Sequence, residues 1–457
     1  RFDAELIGDD GRSDRCRPQE TGAEEEHGGS GTGTRFTRID ARCGSRYKTI
    51  PSKPGRLPVT DERATVLDQS DRSTADPPGE SRTESDDLDV LMVPDYRSSN
   101  PYQAALMEGL EARDVNVRTA TAPGLLFPLT RLTLREGVPD LFHIHFFTPY
   151  MIVGDERLHR LGLASLATFA LGTMLLVELL LLRLRGVTTV WTVHDLVSHD
   201  RHAVRAEVAI KHVAARFLLD RLIVHCDTAG AEVRDRFGLP AETARKFDVI
   251  PHGHFLDDYP DEIDQAEARS RLDLDTDGPV FLFFGWIRPY KNVPRLVEHF
   301  GRLEDPDARL LVVGSTRSAD LETELRELGA DDPRVRTVLE FVPDEDVQLY
   351  MNAADVVVLA FQTEGRTLLT SGSVLLAMGF ETAVAAPDIG CIGAVLDDDG
   401  GVCYDPGATD QPLSAMRTLA DADLAAMGTH NRRIVADLDW DTIAGRTLRT
   451  YTEVTEG

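Results

Sequence analysis

Lysine is nearly absent from this 457-residue chain, and arginine supplies almost all of the positive charge. The 77 Asp and Glu residues outnumber the 49 Lys and Arg residues, which gives a formal net charge of −28. No basic stripe that could follow a nucleic-acid backbone is present, so the composition argues against nucleic-acid binding. A surface this rich in carboxylates stays hydrated and dispersed at high salt, which we interpret as halophilic adaptation.

Cysteine is also scarce, and no two cysteines form a Cys-x-x-Cys pair. The five are scattered along the chain: Cys16, Cys43, Cys226, Cys391 and Cys403. This pattern predicts a reducing interior with no disulfide framework and no zinc site. The first residues are polar and charged with no apolar run, which predicts that no signal peptide opens the sequence and that the protein is cytoplasmic.

Hydrophobic periodicity is missing from residues 1–86, which consist mostly of small, polar and charged residues. Such a segment cannot bury enough apolar surface to offset the entropy cost of ordering it, so we predict a disordered acidic and polar tail. The run GGSGTG (28–33) is similar to a dinucleotide-binding loop. No strand pattern precedes it and no helical pattern follows it, which favours a flexible segment.

Short apolar runs alternate with segments of helical spacing from residue 87 onward, and the alternation restarts after the acidic stretch 257–278. Continuous apolar strands that alternate with helices indicate parallel sheets covered on both faces. The sequence therefore predicts an α/β chain with two Rossmann-like, doubly wound domains, at 87–262 and 263–437. Two such domains place a cleft between them, lined by the carboxyl ends of both sheets.

Residues 161–184 are apolar over about the length of a membrane span, interrupted by Glu178 and Arg183. A true membrane span between two strands of one sheet would prevent that sheet from forming. Two alternatives remain: a buried crossover helix, or a helix whose exposed apolar face docks peripherally on a membrane.

The stretch FLFFGWIRPYKNVPRLVEHF (281–300) has the most specific pattern in the chain. A strand ends at Gly285, a loop carries Arg288 and Lys291, and a helix is predicted to start near Asn292. Cations next to a helix amino terminus are what a diphosphate requires, so we predict a donor-diphosphate site here. The alternative is two surface cations that happen to precede a helix.

This stretch resembles the Gly-Arg-then-Lys pattern of family-4-type glycosyltransferases, which have the GT-B fold. The resemblance runs from about residue 88 to residue 451 and includes several other segments: DLFHIHF, VWTVHDLVSH, VIPHG and EFVPDEDVQLYMNAADVVVLAF. WDTIAGRTLRTY (440–451) is similar to the family's closing helix, so residues 438–455 are expected to return to the first domain. The resemblance implies that Arg288 and Lys291 neutralise the diphosphate of a nucleotide sugar.

The donor loop departs from the family pattern Glu-x7-Glu, whose second Glu grips the ribose. Leu376 stands where that Glu belongs, and Glu364 lies upstream at a different spacing. The sequence TSGS occupies the loop instead, and its hydroxyls and backbone N–H groups are predicted to hold phosphate or sugar: Thr370, Ser371, Gly372 and Ser373. Retention of anomeric configuration, typical of Glu-x7-Glu members, is therefore left open.

Candidate acceptor-side residues lie in the first domain. His194 ends a strand where the family has a sugar-contacting histidine, and it could share proton traffic with Asp195. We expect only one of His143 and His145 to reach the cleft, since neighbouring strand residues point to opposite faces, and His145 is the candidate. Asn100 lies on the loop after the first strand, where it could contact an acceptor or cap the next helix.

The resemblance implies transfer of a hexose from a UDP- or GDP-linked donor to an acceptor hydroxyl of a glycan or a lipid-linked sugar. No Asp-x-Asp motif occurs in a suitable context, so no metal or other cofactor is expected, and protein cations would stabilise the leaving diphosphate. The alternatives are a nucleotide-sugar-binding protein without activity and a GT-B phosphorylase or epimerase. An NAD-dependent enzyme would need a Gly-x-Gly-x-x-Gly run after a first strand, which the sequence lacks.

Overall fold

The computed structural model describes residues 88–97, 101–122, 124–152, 163–198, 203–361 and 370–456. The predicted tail 1–86, Asn100 and Glu364 lie outside these residues. Within them the chain forms two sheets of six parallel strands each.

The first sheet and its helices occupy the part of the chain before residue 250. The described elements are, in order, β1 Asp89–Val93, α1 Pro101–Glu111, β2 Asn116–Thr119, α2 Pro128–Glu136, β3 Leu141–Ile144, α3 Thr148–Met151, α4 Ala164–Leu184, β4 Thr188–Thr192, α5 Val204–Val213, β5 Arg221–Val224, α6 Asp227–Phe237 and β6 Phe247–Val249. A π-helical turn, Ala214–Leu218, extends α5 and precedes β5.

The second sheet follows with the same alternation. Its elements are α7 Gln265–Arg271, β7 Val280–Phe284, α8 Val293–Gly301, β8 Arg309–Val313, α9 Ala319–Asp331, β9 Val335–Val338, α10 Val347–Ala353, β10 Val356–Val358, α11 Gly372–Gly379, β11 Ala383–Pro387, α12 Ile392–Val395, β12 Gly401–Tyr404, α13 Leu413–Ala420 and α14 Leu424–Ala436. The last helix is α15, Trp440–Thr455.

Strand order explains where ligands can bind. The first sheet has the order β2-β1-β3-β4-β5-β6 and the second the order β12-β11-β10-β7-β8-β9, with every pair parallel. Each order reverses once, beside β1 in the first sheet and beside β7 in the second. Crevices at such reversals, at the carboxyl ends of the strands, are the usual ligand sites of doubly wound sheets. The predicted fold class is confirmed.

Both sheets form because their strands are apolar on both faces. The five residues of β7, for example, are all buried, as expected for a parallel strand covered by helices. The closing helix α15 packs beside β1 and α1 of the first domain through Ile443, Ala444 and Tyr451. A Cβ added to Gly109 of α1 would lie 2.7 Å from the Cβ of Ala444, so only glycine allows this close approach of the two helices.

Helix α4 is long and apolar enough to cross a membrane, and it is the only helix among the described residues that meets this test. It packs on the first domain through one face, while Leu166, Phe169 and Leu184 are exposed on the other. Glu178 points inward, where its Oε1 accepts a hydrogen bond from the backbone N–H of Thr130, 2.7 Å away, in the first turn of α2. The helix is therefore a crossover element with an apolar face open to the surroundings.

The prediction that the cysteines form no disulfide is wrong. Cys226, which caps the start of α6, is bonded to Cys391, directly before α12, with a Cα–Cα distance of 5.7 Å. The bond joins the first domain to the second across 165 positions of sequence. Spacing along the chain gave no sign of it because the pairing depends on how the two domains face each other.

Candidate functional site

The end of β7 carries a glycine in a backbone conformation that other residues rarely adopt. Gly285 has a φ of +117°, in the region that a Cβ disfavours. A Cβ placed there would lie 3.7 Å from both Lys291 Nζ and Ser373 Oγ. Glycine therefore leaves a space beside β7 at which an ammonium group and a hydroxyl group converge.

Lys291 is a buried cation in this space. It is 2% exposed, it ends the 3-10 turn Pro289–Lys291, and its Nζ lies 5.9 Å from the centroid of the Phe361 ring. Arg288 directly precedes the turn and is half-buried. Since an ammonium group held away from water is stabilised by negative charge, this position suits an anionic ligand such as a diphosphate.

The loop predicted from TSGS leads directly into a helix. Gly372 is the first residue of α11, and Ser371 and Ser373 are buried beside it. The N–H groups of a first helical turn have no partner within the helix and bind anionic oxygen readily. Leu376 is 1% exposed and belongs to the core of the second domain, so it makes no contribution to binding a ribose.

A cavity of about 380 Å³ adjoins Gly285 at the carboxyl ends of β7, β8 and β9. Most of its wall is apolar, with a few polar groups at the rim, as is typical of sites for small organic ligands. The sequence prediction did not include its lining, although these residues follow strand ends: Trp286, Ser315, Glu340, Phe341, Val342 and Asp344. The cavity has the chemistry to hold the nucleoside of a donor whose diphosphate reaches Lys291.

The opposite side of the cleft carries a different kind of chemistry. Five histidines from the ends of β3, β4, β5 and β6 form what we call the histidine cluster: His143, His145, His194, His225 and His252. The ring of Tyr102, from α1, lies between 4.8 and 5.9 Å from the ring centroids of four of them. Parallel strands end at one edge of their sheet, so residues distant in sequence meet there.

The premise that His143 and His145 point to opposite faces of the sheet is wrong. Residues two positions apart on a strand share a face, and these two ring centroids are 4.2 Å apart. His143 is hydrogen-bonded through Nδ1 to the Tyr451 hydroxyl at 2.5 Å and through Nε2 to Thr192 Oγ1 at 2.7 Å. It thereby connects the first sheet to α15.

The structure brings His145 and His194 together as well. His145 Nδ1 lies 3.2 Å from His194 Nε2, and the His194 ring stacks on Phe146 with 4.9 Å between centroids. Asp195 follows His194 and is half-buried.

A second cavity, of about 300 Å³, lies between the two domains. His225 and His252 line it from the first domain, and Thr370, Ser371 and Cys391 line it from the second. The sequence prediction missed both histidines as site residues. Their signal was positional, since each follows a predicted strand of the first sheet in the same way as His194.

Burial keeps the histidine cluster neutral. It lowers the pKa of His225 to about 4 against a weaker opposing effect of the hydrogen bond to Ile250, and it lowers the pKa of His252 to about 3. Burial, followed by the neighbouring His225 and His145, also holds the pKa of His194 well below the ordinary value. Neutral imidazoles accept or donate hydrogen bonds to hydroxyl groups without carrying charge.

The arrangement can bind an anion on one side of the cleft and neutral hydroxyl groups on the other. Among the described residues, no group of three or more His, Cys, Asp or Glu side chains is placed to hold a metal ion. The cation that the structure places beside Gly285 at the β7 end is Lys291.

Comparisons with known proteins place the chain among glycosyltransferases. Residues 278–422 match the family model described as Glycosyl transferases group 1. A GDP-mannose:glycolipid 4-beta-D-mannosyltransferase of Xanthomonas campestris pv. campestris is 27% identical over 319 residues, which cover 69% of this chain and 80% of the relative. A D-inositol 3-phosphate glycosyltransferase of Geodermatophilus obscurus is 30% identical over 52% of this chain and 53% of the relative.

Solved structures show the same architecture. Anabaena HepE in complex with UDP and glucose superposes with a TM-score of 0.58 at 15% identity, covering 80% of this chain and 99% of that one. Sucrose-phosphate synthase from Thermosynechococcus elongatus gives a TM-score of 0.59 at 19% identity, covering 80% of this chain and 98% of that one. At such identities the likeness establishes the fold, which is GT-B.

Proposed function

The chain is a nucleotide-sugar glycosyltransferase of the GT-B fold, and we propose that it transfers mannose from GDP-mannose to a lipid-linked sugar at a membrane surface. The observation that carries the proposal is the convergence of Lys291 Nζ and Ser373 Oγ on the space beside Gly285, next to a cavity at the strand ends. The relative from Xanthomonas campestris, named for GDP-mannose and a glycolipid, supports the choice of donor and acceptor.

In this proposal Arg288 and Lys291 stabilise the negative charge that develops on the departing diphosphate. Preorganised cations in a site shielded from water are the largest electrostatic contribution to such a step. Thr370, Ser371, Gly372 and Ser373 hold phosphate or sugar oxygens at the start of α11. The reaction then requires neither a metal ion nor another cofactor.

His145, His194 and Asp195 form the acceptor side of the proposed site. They lie at the carboxyl edge of the first sheet, and the neutral imidazoles suit the hydroxyl groups of a sugar. Closure of the two domains over both substrates would exclude water and limit hydrolysis of the donor.

The exposed face of α4 supports a peripheral membrane location. Its outward side chains recur at helical spacing and leave an apolar stripe on the surface: Leu166, Phe169, Val177, Leu180, Leu181 and Leu184. The segment before α2 extends the same surface, because the backbone N–H of exposed Phe127 lies 3.3 Å from Met174 Sδ of α4. With Glu178 turned inward, the stripe presents no carboxylate to a lipid surface.

The location we propose is the cytoplasmic face of the cell membrane of a halophile, with the acidic remainder of the surface in water. Flotation with liposomes in high salt tests it. We expect the wild type to float and a Leu166→Glu/Phe169→Glu/Leu184→Glu variant to stay at the bottom. A wild type that ignores liposomes would overturn the membrane part of the proposal and leave the transfer reaction intact.

The donor assignment is tested by thermal unfolding in high salt with GDP, UDP and ADP, followed by turnover with the matching nucleotide sugars. We expect GDP to stabilise the protein most and GDP-mannose to be consumed only when an alkyl glycoside acceptor is present. Binding of GDP with no turnover of any donor would favour an inactive binding protein. Turnover that requires orthophosphate would identify a phosphorylase.

A further inference from the structure

We propose that His225 is the general base that takes the proton of the acceptor hydroxyl, in a single displacement that inverts the anomeric carbon. The inference rests on the proposed glycosyl transfer and adds to it a catalytic residue and a stereochemical outcome. It starts from the 300 Å³ cavity between the domains, where His225 meets the residues Thr370 and Ser371 that start the donor loop helix.

The two ring nitrogens of His225 have different surroundings. Nδ1 lies 2.9 Å from the backbone carbonyl oxygen of Ile250, an acceptor, so Nδ1 carries the proton of the neutral ring. Nε2 then bears the lone pair, and it is buried with no hydrogen-bond partner among the described residues. A neutral histidine fixed through one nitrogen, with the other buried and unpartnered beside a cavity that the residue lines, has the arrangement of a general base.

The other members of the histidine cluster lack this combination. Both nitrogens of His143 are hydrogen-bonded, and His194 Nε2 faces His145 Nδ1. His145 Nε2 is buried and unpartnered within the described part of the chain, but His145 does not line the cavity. His252 lines the cavity, and its Nδ1 contacts the carbonyl oxygen of Gly253, the next residue, whereas His225 is tied to Ile250, 25 positions away in sequence.

The two cavities and the cation between them lie in a sequence that matches a donor and an acceptor. The larger cavity includes Gly285, the space beside Gly285 is bounded by Lys291 and Ser373, and Ser371, two residues earlier, lines the smaller cavity with His225. Nucleoside, diphosphate, sugar and acceptor hydroxyl would follow one another along this line. In the proposed step His225 acts from the side of the sugar remote from the diphosphate, where an attacking oxygen must be for inversion.

The described residues that line the smaller cavity include no carboxylate. A single displacement needs only a base there, and His225 supplies it. The acceptor oxygen gives its proton to His225 Nε2 and forms the new bond to the anomeric carbon. The bond from that carbon to the diphosphate oxygen breaks, and its electron pair leaves with the diphosphate beside Lys291. The imidazolium returns its proton to water after product release.

The protonation state of His225 is compatible with the step. Burial lowers the pKa of His225 to about 4, so the ring is neutral and able to accept a proton at neutral pH. The residues that face it are His194 and His252 on neighbouring strand ends and Tyr102 on α1, with Thr370 and Ser371 across the cavity. The negative charge that develops on the diphosphate in the transition state offsets the charge that the imidazolium acquires.

The test uses the full chain, GDP-mannose as donor and octyl β-glucoside as acceptor, with GDP release and the coupled product both measured. We expect His225→Gln to lower kcat by about 10²–10⁴-fold while KM for GDP-mannose and the GDP-induced rise in Tm stay near wild type. Exogenous imidazole should restore part of the activity of His225→Ala, whose cavity admits it. NMR of the product should show the anomeric configuration opposite to that of the donor.

His212→Gln is the matched control. This histidine also contacts a backbone carbonyl through Nδ1, that of Phe237, but it lies on α5 away from both cavities, so its kcat should not change. Wild-type kcat in His225→Gln, or a product with retained configuration, would overturn the inference while leaving glycosyl transfer established. A wild type that transfers no sugar from any nucleotide donor would instead refute the proposed function and this inference with it.

Discussion

The two sides of the cleft share the same sheet architecture but present different side chains at the strand ends. On both sides, parallel strands end at one edge of a six-stranded sheet, beside the point where strand order reverses. The first sheet places five histidines and Tyr102 there, packed against one another. The second places glycine, a buried lysine and the start of a helix around open cavities.

The difference shows how one topology would serve the two substrates that we propose. A diphosphate needs fixed positive charge and accessible N–H groups, which small residues and Lys291 provide. An acceptor sugar offers neutral hydroxyl groups, for which neutral imidazoles are suitable partners. Burial keeps the imidazoles neutral on the first side of the cleft. On the second side, Gly285 has no side chain and so leaves room for a ligand.

The largest expected effect is a loss of stability at acidic pH. Burial lowers the pKa values of His143 and His252 to about 3 and that of His225 to about 4, against about 6.5 in the unfolded chain. The unfolded state therefore binds more protons, so the stability contributed by the neutral cluster is complete above pH 6.5 and is lost as the pH falls towards 4. We expect a loss of several kcal/mol in the free energy of unfolding, measured by denaturant titration in high salt.

The comparison variant for this effect is His252→Gln. Removal of one such histidine should make the fall of stability shallower, by roughly 1 kcal/mol per pH unit between pH 6 and 4.5. Equal slopes in the variant and the wild type would show that the cluster is protonated in the folded protein.

The next effect concerns the cation on the second side. Lys291→Met keeps the length and burial of the side chain but removes the charge that faces the diphosphate. We expect kcat/KM for the nucleotide sugar to fall by about 10²–10³-fold and GDP to bind more weakly. Arg326→Met, which removes an exposed cation on α9, is the control and should be silent. Undiminished turnover in Lys291→Met would mean that the diphosphate lies elsewhere.

A smaller effect concerns the bond that joins the two sides. Cys391→Ser removes the disulfide to Cys226 and should lower the free energy of unfolding by about 2–4 kcal/mol. Cys403→Ser is the control, because Cys403 is a free cysteine. Peptide mapping without reductant should recover the linked pair. If Cys391→Ser and the wild type unfold at the same denaturant concentration without reductant, the two sides are joined by packing alone.

The smallest effect concerns access at the β7 end. Gly285→Ala forces a Cβ into a φ of +117° and into the space between Lys291 and Ser373, so both stability and GDP affinity should fall. Gly186→Ala imposes similar strain, at a φ of +79° with no atom within 4 Å. Each variant should lose about 1–3 kcal/mol of stability, and Gly285→Ala alone should weaken GDP binding, by about tenfold in Kd. Equal GDP affinity in the two variants would contradict the assignment of the space beside Gly285 to the diphosphate.

Local sequence carried most of the prediction of the fold. Apolar runs such as residues 279–285 and 308–314 identified parallel strands because full burial of both strand faces is visible in the residues themselves. The turn at 285–292 could also be predicted from the sequence, since glycine, cations and a helix start follow one another directly. The apolar character of α4 was also evident from the sequence. Its two interpretations, a buried crossover helix and a helix that docks on a membrane, differed only in which of its side chains the first sheet would cover.

The sequence by itself determined that two doubly wound domains form and that Lys291 lies in the turn between β7 and the next helix, because strand burial and turn geometry depend on residues a few positions apart. Tertiary structure decided that His225 meets Thr370, that Cys226 meets Cys391 and that Glu178 turns inward. These contacts depend on the order in which strands pair and on how one sheet faces the other. Strand order places β6 beside β5 and β10 beside β7. This order cannot be read from the spacing of residues along the chain.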